Sequence, residues 1–155
     1  VLKYRISVAD LNDLAALIAI ENSCFVTDRL KQRQMRYLLT KAKAFTLLAR
    51  SESDSKIVAY CSCLTPVISR PARLYSLAVL PDYRAQGIAG TLIKKTKQKL
   101  RNLGYSSCNL EVRKLDKLTQ QLYEKHGFEV AQELPGYYED GADGIKMTCK
   151  IRPAK

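Results

Sequence analysis

The chain has 155 residues and is 46 % hydrophobic, which suits one domain with one real core. Its 26 Lys and Arg against 15 Asp and Glu leave a net charge of +11, which draws anions such as phosphorylated cofactors, acidic peptides and nucleic acid. No run reaches the roughly 18 apolar residues of a membrane span, five cysteines without a Cys-x-x-Cys pair read as reduced core thiols, and the lone His126 supplies no zinc set and no hydrolase triad unless it is itself the base.

A cytoplasmic protein with a single domain over residues 1–155, holding no metal and no membrane, is therefore the expectation. A charge excess is most often a solubility feature, so direct nucleic-acid binding is not the favoured reading. There is no repeat, no low-complexity run and no linker, and the oligomeric state has no signature in the chain.

In chain order, Leu2 to Ile6 reads as a strand. Asp10 then offers an N-cap to a helix with Leu11, Leu14, Ala15 and Ile18 on one side, ending near Asn22. Thr27 or Asp28 is the expected cap of a second helix running to about Leu39. Ala44 to Ala49 and Lys56 to Leu64 flank the polar connector 51–55 and predict a hairpin. Arg73 to Leu80 is a further strand, stopped by Pro81-Asp82, and the next helix carries Ile88, Leu92 and Leu100 on one side and stops at Gly104. Cys108, Leu110 and Val112 alternate with Asn109 and Glu111, which turns Glu111 away from the apolar side of its strand. Asp116 caps a last helix with Leu115, Leu118 and Leu122 expected on one apolar side. Phe128 to Ala131 and Ile145 to Ile151 close the chain as strands.

The chemistry concentrates where the strand Tyr75-Ser76-Leu77-Ala78-Val79 runs through Arg84-Ala85-Gln86-Gly87-Ile88-Ala89-Gly90 into a helix. Such a turn aims unpaired backbone N–H groups and the positive end of the helix dipole at one point, where an anion belongs. Walker and Rossmann glycine spacings are both absent. Lys94, Lys95, Lys97, Lys99 and Arg101 on that helix read as a solvated basic face, and His126 as a structural residue at a helix end.

The segment resembles the acetyl-CoA signature of the GNAT acetyltransferases, Gln/Arg-x-x-Gly-x-Gly/Ala, matched here by Arg84, Gly87 and Ala89. The resemblance implies a mixed α/β fold, a mostly antiparallel twisted sheet of about seven strands flanked by about four helices. It further implies that Leu77, Ala78 and Val79 meet the pantetheine and thioester of acetyl-CoA, while Arg84, Ala85, Gln86, Gly87, Ile88, Ala89 and Gly90 hold its pyrophosphate. Leu110-Glu111-Val112-Arg113 and Leu122 to Phe128 are similar to a strand and helix of the bacterial ribosomal-protein alanine N-acetyltransferases. By that similarity Glu111 is the general base and Tyr123 the general acid, and Asp116, where the family commonly has Asn, touches the cofactor.

The paired Tyr137 and Tyr138 resemble tyrosines of protein N-terminal acetyltransferases, which implies a protein or peptide N-terminus as acceptor, a ribosomal one by the similarity to the alanine N-acetyltransferases. Glu139 or Asp140 beside them would draw its positive charge. An α-amine, with a pKa of about 7.7 to 8, is deprotonated at lower cost than a lysine near 10.4, which agrees. Small amines as acceptors, and a domain that binds acyl-CoA without turnover, stay open at this stage. The likeness covers residues 72 to 151 well and the first 70 loosely. Residues 24–30 are similar to acetyltransferase domains fused to a peptidase-like partner.

Overall fold

The computed structural model describes residues 2–152. Seven strands form one sheet: β1 (Tyr4–Val8), β2 (Ala44–Ser51), β3 (Ile57–Leu64), β4 (Ala72–Val79), β5 (Ser107–Arg113), β6 (Glu129–Leu134) and β7 (Gly144–Lys150). Four α-helices accompany them: α1 (Leu14–Cys24), α2 (Gln32–Thr40), α3 (Ile88–Leu103) and α4 (Lys117–Lys125). The strand order is β1-β2-β3-β4-β5-β7-β6, and every pairing is antiparallel except β4 with β5.

β2 and β3 are buried almost throughout, because helices cover both faces of the sheet at that point. On one face α1 and α2 pack Leu14, Leu17, Ile20, Met35 and Leu38 against Leu48, Tyr60 and Ala78. On the other, α3 brings Ile88, Leu92, Ile93 and Leu100 onto Leu47, Ala49, Val58 and Cys61, a stripe at helical spacing. Gly104, with φ of +95°, ends α3, and the Tyr105 N–H then donates to the Leu100 carbonyl at 3.0 Å. The hairpin between β2 and β3 and the outward turn of Glu111 are as the sequence predicts.

Five expectations need correction. β1 lies two residues further along than predicted, and Asp10 caps a 3-10 turn, Leu11–Asp13, ahead of α1. Neither Thr27 nor Asp28 caps α2, which starts after Lys31. Asp28 has φ of +56° and its carboxylate accepts from Arg113 at 2.6 Å, so it serves an ion pair across the molecule. Leu115 and Leu118 are exposed, whereas α4 buries Gln120 and Tyr123. Cys61, Cys63, Cys108 and Cys149 are free buried thiols as expected, but Cys24 is only half-buried.

The feature that makes a site is the one parallel pairing. β4 and β5 pair only as Ala72 with Cys108 and Arg73 with Asn109, although β4 continues to Val79 and β5 to Arg113. Beyond Arg73 the two strands part, and the sheet opens there into a cleft. A bulge in β4 at Tyr75, where Ser62 faces Ser76 but Cys63 faces Leu74, bends that strand at the opening.

Candidate active site

Two cavities, of about 640 and 670 Å³, open on the parted strands. The first runs along the end of β4, the turn before α3 and one side of α4. The second lies between the α1–α2 connection, β4, β5 and the loop before β7. Leu77, Cys24, Phe25, Asp116, Thr119 and Tyr123 line both, so the two form one passage.

The first cavity is built largely from backbone. The first intrahelical bond of α3 is from Thr91 N–H to Gly87 C=O at 3.0 Å, which leaves the N–H groups of Ile88, Ala89 and Gly90 without intrahelical acceptors. Ala85 and Gly87 both take left-handed φ, +61° and +79°, a conformation that curls successive N–H groups into an anion-binding concavity. A Cβ at Gly87 would meet nothing within 4 Å, so the space it would enter is open to a ligand. Gly90 has another reason to be glycine: a Cβ there would come within 3.0 Å of His126 Nε2. His126 is thus a packing residue between α3 and α4, and burial, then Lys94, Lys97 and Lys125, lowers its pKa. Arg84 folds back so that its Nε donates to the Val79 carbonyl at 2.9 Å, which fixes the turn to the end of β4.

Of the residues expected around the cofactor, Leu77, Ala78, Val79, Arg84, Ala85, Gly87, Ile88, Ala89, Gly90 and Asp116 line this cavity, and Gln86 does not. Cys24, Phe25, Tyr83, Leu118, Thr119 and Leu122 line it as well. Leu118 explains itself here: it is 81 % exposed because it walls the cavity instead of the core. Its helical spacing with Leu122 was visible in the sequence, but spacing alone does not say which surface an apolar side meets. The open turn, the free N–H groups and the apolar wall together fit a diphosphate with a pantetheine arm.

At the junction, Tyr123 is 6 % exposed and stands edge-on to Phe128 at 5.5 Å. Its hydroxyl has no hydrogen-bond partner among the described residues, although no fully buried side-chain N or O there lacks one. The phenol oxygen therefore reaches the cavity surface. Burial pushes its pKa far above the ordinary value, with Cys61, Cys108 and Asp116 adding to the rise, so it keeps its proton across the physiological range. Asp116 accepts from Thr119 N–H at 3.1 Å as the N-cap of α4.

Side chains make the second cavity. Glu111 faces it from β5, held by Arg73 Nε at 2.9 Å, and the Arg73 guanidinium lies over the Tyr75 ring at 5.2 Å. Glu21, 2 % exposed, accepts from Leu30 N–H at 2.7 Å and from the Tyr60 hydroxyl, and thereby ties the segment after α1 down onto β3. Arg113 pairs with Asp28 at 2.6 Å and with Asp140 at 3.0 Å while its guanidinium covers the Tyr138 ring at 4.3 Å, so one side chain joins the α1–α2 connection to the β6–β7 loop. Tyr138 and Glu139 line this cavity. Tyr137 does not; it is 45 % exposed and its hydroxyl accepts from Arg73 at 3.4 Å. Arg73, Glu21 and the Arg113 clasp were not picked out in the sequence, since each acquires meaning only from partners 9 to 85 positions away.

Comparison with known proteins agrees with this geometry. Residues 9–151 match the acetyltransferase (GNAT) domain. A putative [ribosomal protein bS18]-alanine N-acetyltransferase of Bacillus subtilis is 28 % identical over 142 residues, 91 % of either chain. An N-alpha-acetyltransferase of Saccharolobus solfataricus is 37 % identical over 83 residues, 53 % of this chain and only 50 % of that one. The crystal structure of the ribosomal-protein-S18-alanine N-acetyltransferase from Escherichia coli superposes with a TM-score of 0.87 at 26 % identity, covering 99 % of this chain and 97 % of that one. The cleft, its turn of free N–H groups and these likenesses lead to one conclusion: the chain belongs to the GNAT acetyltransferase family, an N-acetyltransferase whose acetyl donor is acetyl-CoA.

Proposed function

We propose that residues 1–155 form one cytoplasmic acetyltransferase domain that transfers acetyl directly to the α-amine of a protein N-terminus, with Glu111 as general base and Tyr123 as general acid. The observation that carries this reading is the single passage that Tyr123 shares between a backbone-built cavity and a carboxylate-lined one. Bound acetyl-CoA supplies a thioester open to attack by an amine. The N–H groups of Ala85 and of Gly87 to Gly90 would bind the diphosphate, and Leu77, Leu118 and Leu122 would keep water from the arm. The Glu111 carboxylate would take a proton from the incoming ammonium, directly or through a water, and as the C–N bond forms and the C–S bond breaks the Tyr123 hydroxyl would give its proton to the departing thiolate sulfur.

Direct transfer is favoured over a covalent enzyme intermediate because Cys24 is the one cysteine lining either cavity. Burial raises its pKa, against a smaller lowering by Arg84, and its thiol donates to the Val79 carbonyl at 3.3 Å. A thiol so held is a poor nucleophile. For the acceptor, Glu21, Asp28, Glu111, Asp116 and Glu139 give the second cavity an excess of carboxylates, which suits an ammonium. The names of the B. subtilis and S. solfataricus relatives, a ribosomal-protein alanine and an N-alpha acetyltransferase, point the same way.

The test is thiol release from acetyl-CoA with three acceptor classes: peptides with free N-termini, the same peptides blocked at the N-terminus but carrying lysine, and polyamines. Turnover confined to free N-termini is expected. Turnover confined to polyamines overturns the reading, and tight cofactor binding without any turnover makes the domain an acyl-CoA sensor.

A further inference from the structure

Beside the acceptor cavity lies a groove of about 640 Å³ between α2, the end of β3 and β4, floored by Leu30, Leu38, Ala42 and Leu64. It shares Leu30, Gln34 and Tyr75 with the acceptor cavity, so a chain leaving one enters the other without crossing a wall. Tyr37 and Tyr75 stand on it, 56 % and 38 % exposed. Arg33, Arg36 and Lys41 line its rim, exposed and without an ion-pair partner among the described residues, and no carboxylate lines it. The stretch 29–43 holds six cations and no acid.

The cleft is thus polarised: five carboxylates outnumber Arg29, Lys31 and Arg113 in the acceptor cavity, and along the exit only cations follow. We propose that this groove is the docking surface for the segment of the acceptor polypeptide just downstream of its N-terminus, and that it selects segments rich in Asp and Glu. The proposal rests on the protein N-terminal reading above and narrows it to acidic substrates. Aromatic rings at the groove and the Leu floor cover the apolar stems of such side chains, while the rim cations meet their charges. Arg73, stacked on Tyr75 and bonded to Glu111, joins the two regions.

Three peptides test it, identical in their first two residues and continuing as Glu-rich, Gln-rich or Lys-rich. At low salt the Glu peptide should exceed the Gln peptide about five- to tenfold in kcat/KM, three surface pairs contributing about twofold each. The advantage should vanish near about 0.5 M salt, where exposed charges are screened. Replacing Arg33→Glu, Arg36→Glu and Lys41→Glu together should lower the rate on the Glu peptide and raise it on the Lys peptide, a crossing that damage to the fold cannot produce. Equal rates on the Glu and Gln peptides, or an order that survives the reversal, overturns the groove and leaves N-terminal transfer standing. Turnover of polyamines and of no peptide overturns both. A short single-stranded RNA that binds the groove, loses binding on the reversal and leaves all peptide rates equal makes it a nucleic-acid surface instead.

Discussion

The two cavities are built on different principles. On the donor side, one stretch from Leu77 to Gly90 supplies most of the lining, and it does so with peptide N–H groups, two left-handed residues and a helix end, against a wall from α4. On the acceptor side, contributions come from α1, β4, β5 and the β6–β7 loop, joined by the side chains of Glu21, Arg73 and Arg113. A backbone device tolerates exchange of most side chains, whereas a side-chain device changes character with a single substitution. One fold can therefore keep its donor while its acceptor is altered.

The strongest test of that division falls on the junction. Glu111→Gln should lower kcat by about a hundredfold or more, within the usual range for a general base, and leave the affinity for acetyl-CoA nearly unchanged. Equal loss of both, by kinetics and calorimetry, would mean that Glu111 belongs to the donor side. Tyr123→Phe should cost about a hundredfold in kcat with a melting temperature shifted by little, since its hydroxyl makes no hydrogen bond to lose. In the unaltered protein kcat, which reports the bound complex, should show no alkaline fall between pH of about 8 and 9, because burial holds Tyr123 protonated far above that range. An alkaline fall between pH of about 8 and 9 speaks against it as the acid.

Next in size is a change confined to the donor side. Gly87→Val places a β-branched residue at φ of +79° and a side chain in the space left for the ligand. Acetyl-CoA should bind at least about tenfold more weakly, and the strain, about 1–2 kcal/mol, should lower the melting temperature by about 2–8 °C. If KM for the peptide rises as steeply as that for the donor, the two sides are less separable than the geometry implies.

A smaller effect on the opposite side should follow from Arg113→Gln. That change releases Asp28 and Asp140 and uncovers Tyr138, so KM for peptide should rise about three- to fivefold with the donor's KM unmoved. The pairs are exposed, and the difference should shrink as salt is added. An unchanged peptide KM at low salt means the clasp is ornament.

The same contrast explains what could be read in advance. The turn at Gly87 is contiguous, so Arg84, Gly87 and Ala89 announce it, and the alternation in β5 alone turns Glu111 outward. Asp28 looked like a helix cap because a short acid before a polar helix usually is one. It became an ion partner because Arg113, 85 positions on, is brought beside it. Leu118 looked like core because apolar spacing on α4 is the same whether the surface faced is protein or ligand. Arg73 gave no signal, since an arginine in a strand acquires a role only when its parallel pairing with Asn109 sets it beside Glu111, two residues further on.

The smallest predicted effect lies at Asp116, one of the residues that line both cavities and the position where the resemblance leads one to expect Asn. Its carboxylate caps α4 through Thr119 N–H, a task that an Asn oxygen performs as well, so Asp116→Asn should leave stability within a few tenths of a kcal/mol. What the exchange removes is a negative charge from the wall of a cavity meant for a polyanion, and what it adds is an N–H donor. Acetyl-CoA should then bind about two- to threefold more tightly at low ionic strength, with the gain fading as salt screens the charge that was removed. On the acceptor side the same carboxylate helps to attract the ammonium, so KM for peptide should rise by a similar factor. A gain for the donor with a matching loss for the acceptor would show Asp116 acting as a shared charge across the junction. A gain for the donor alone would place it wholly with the backbone-built half.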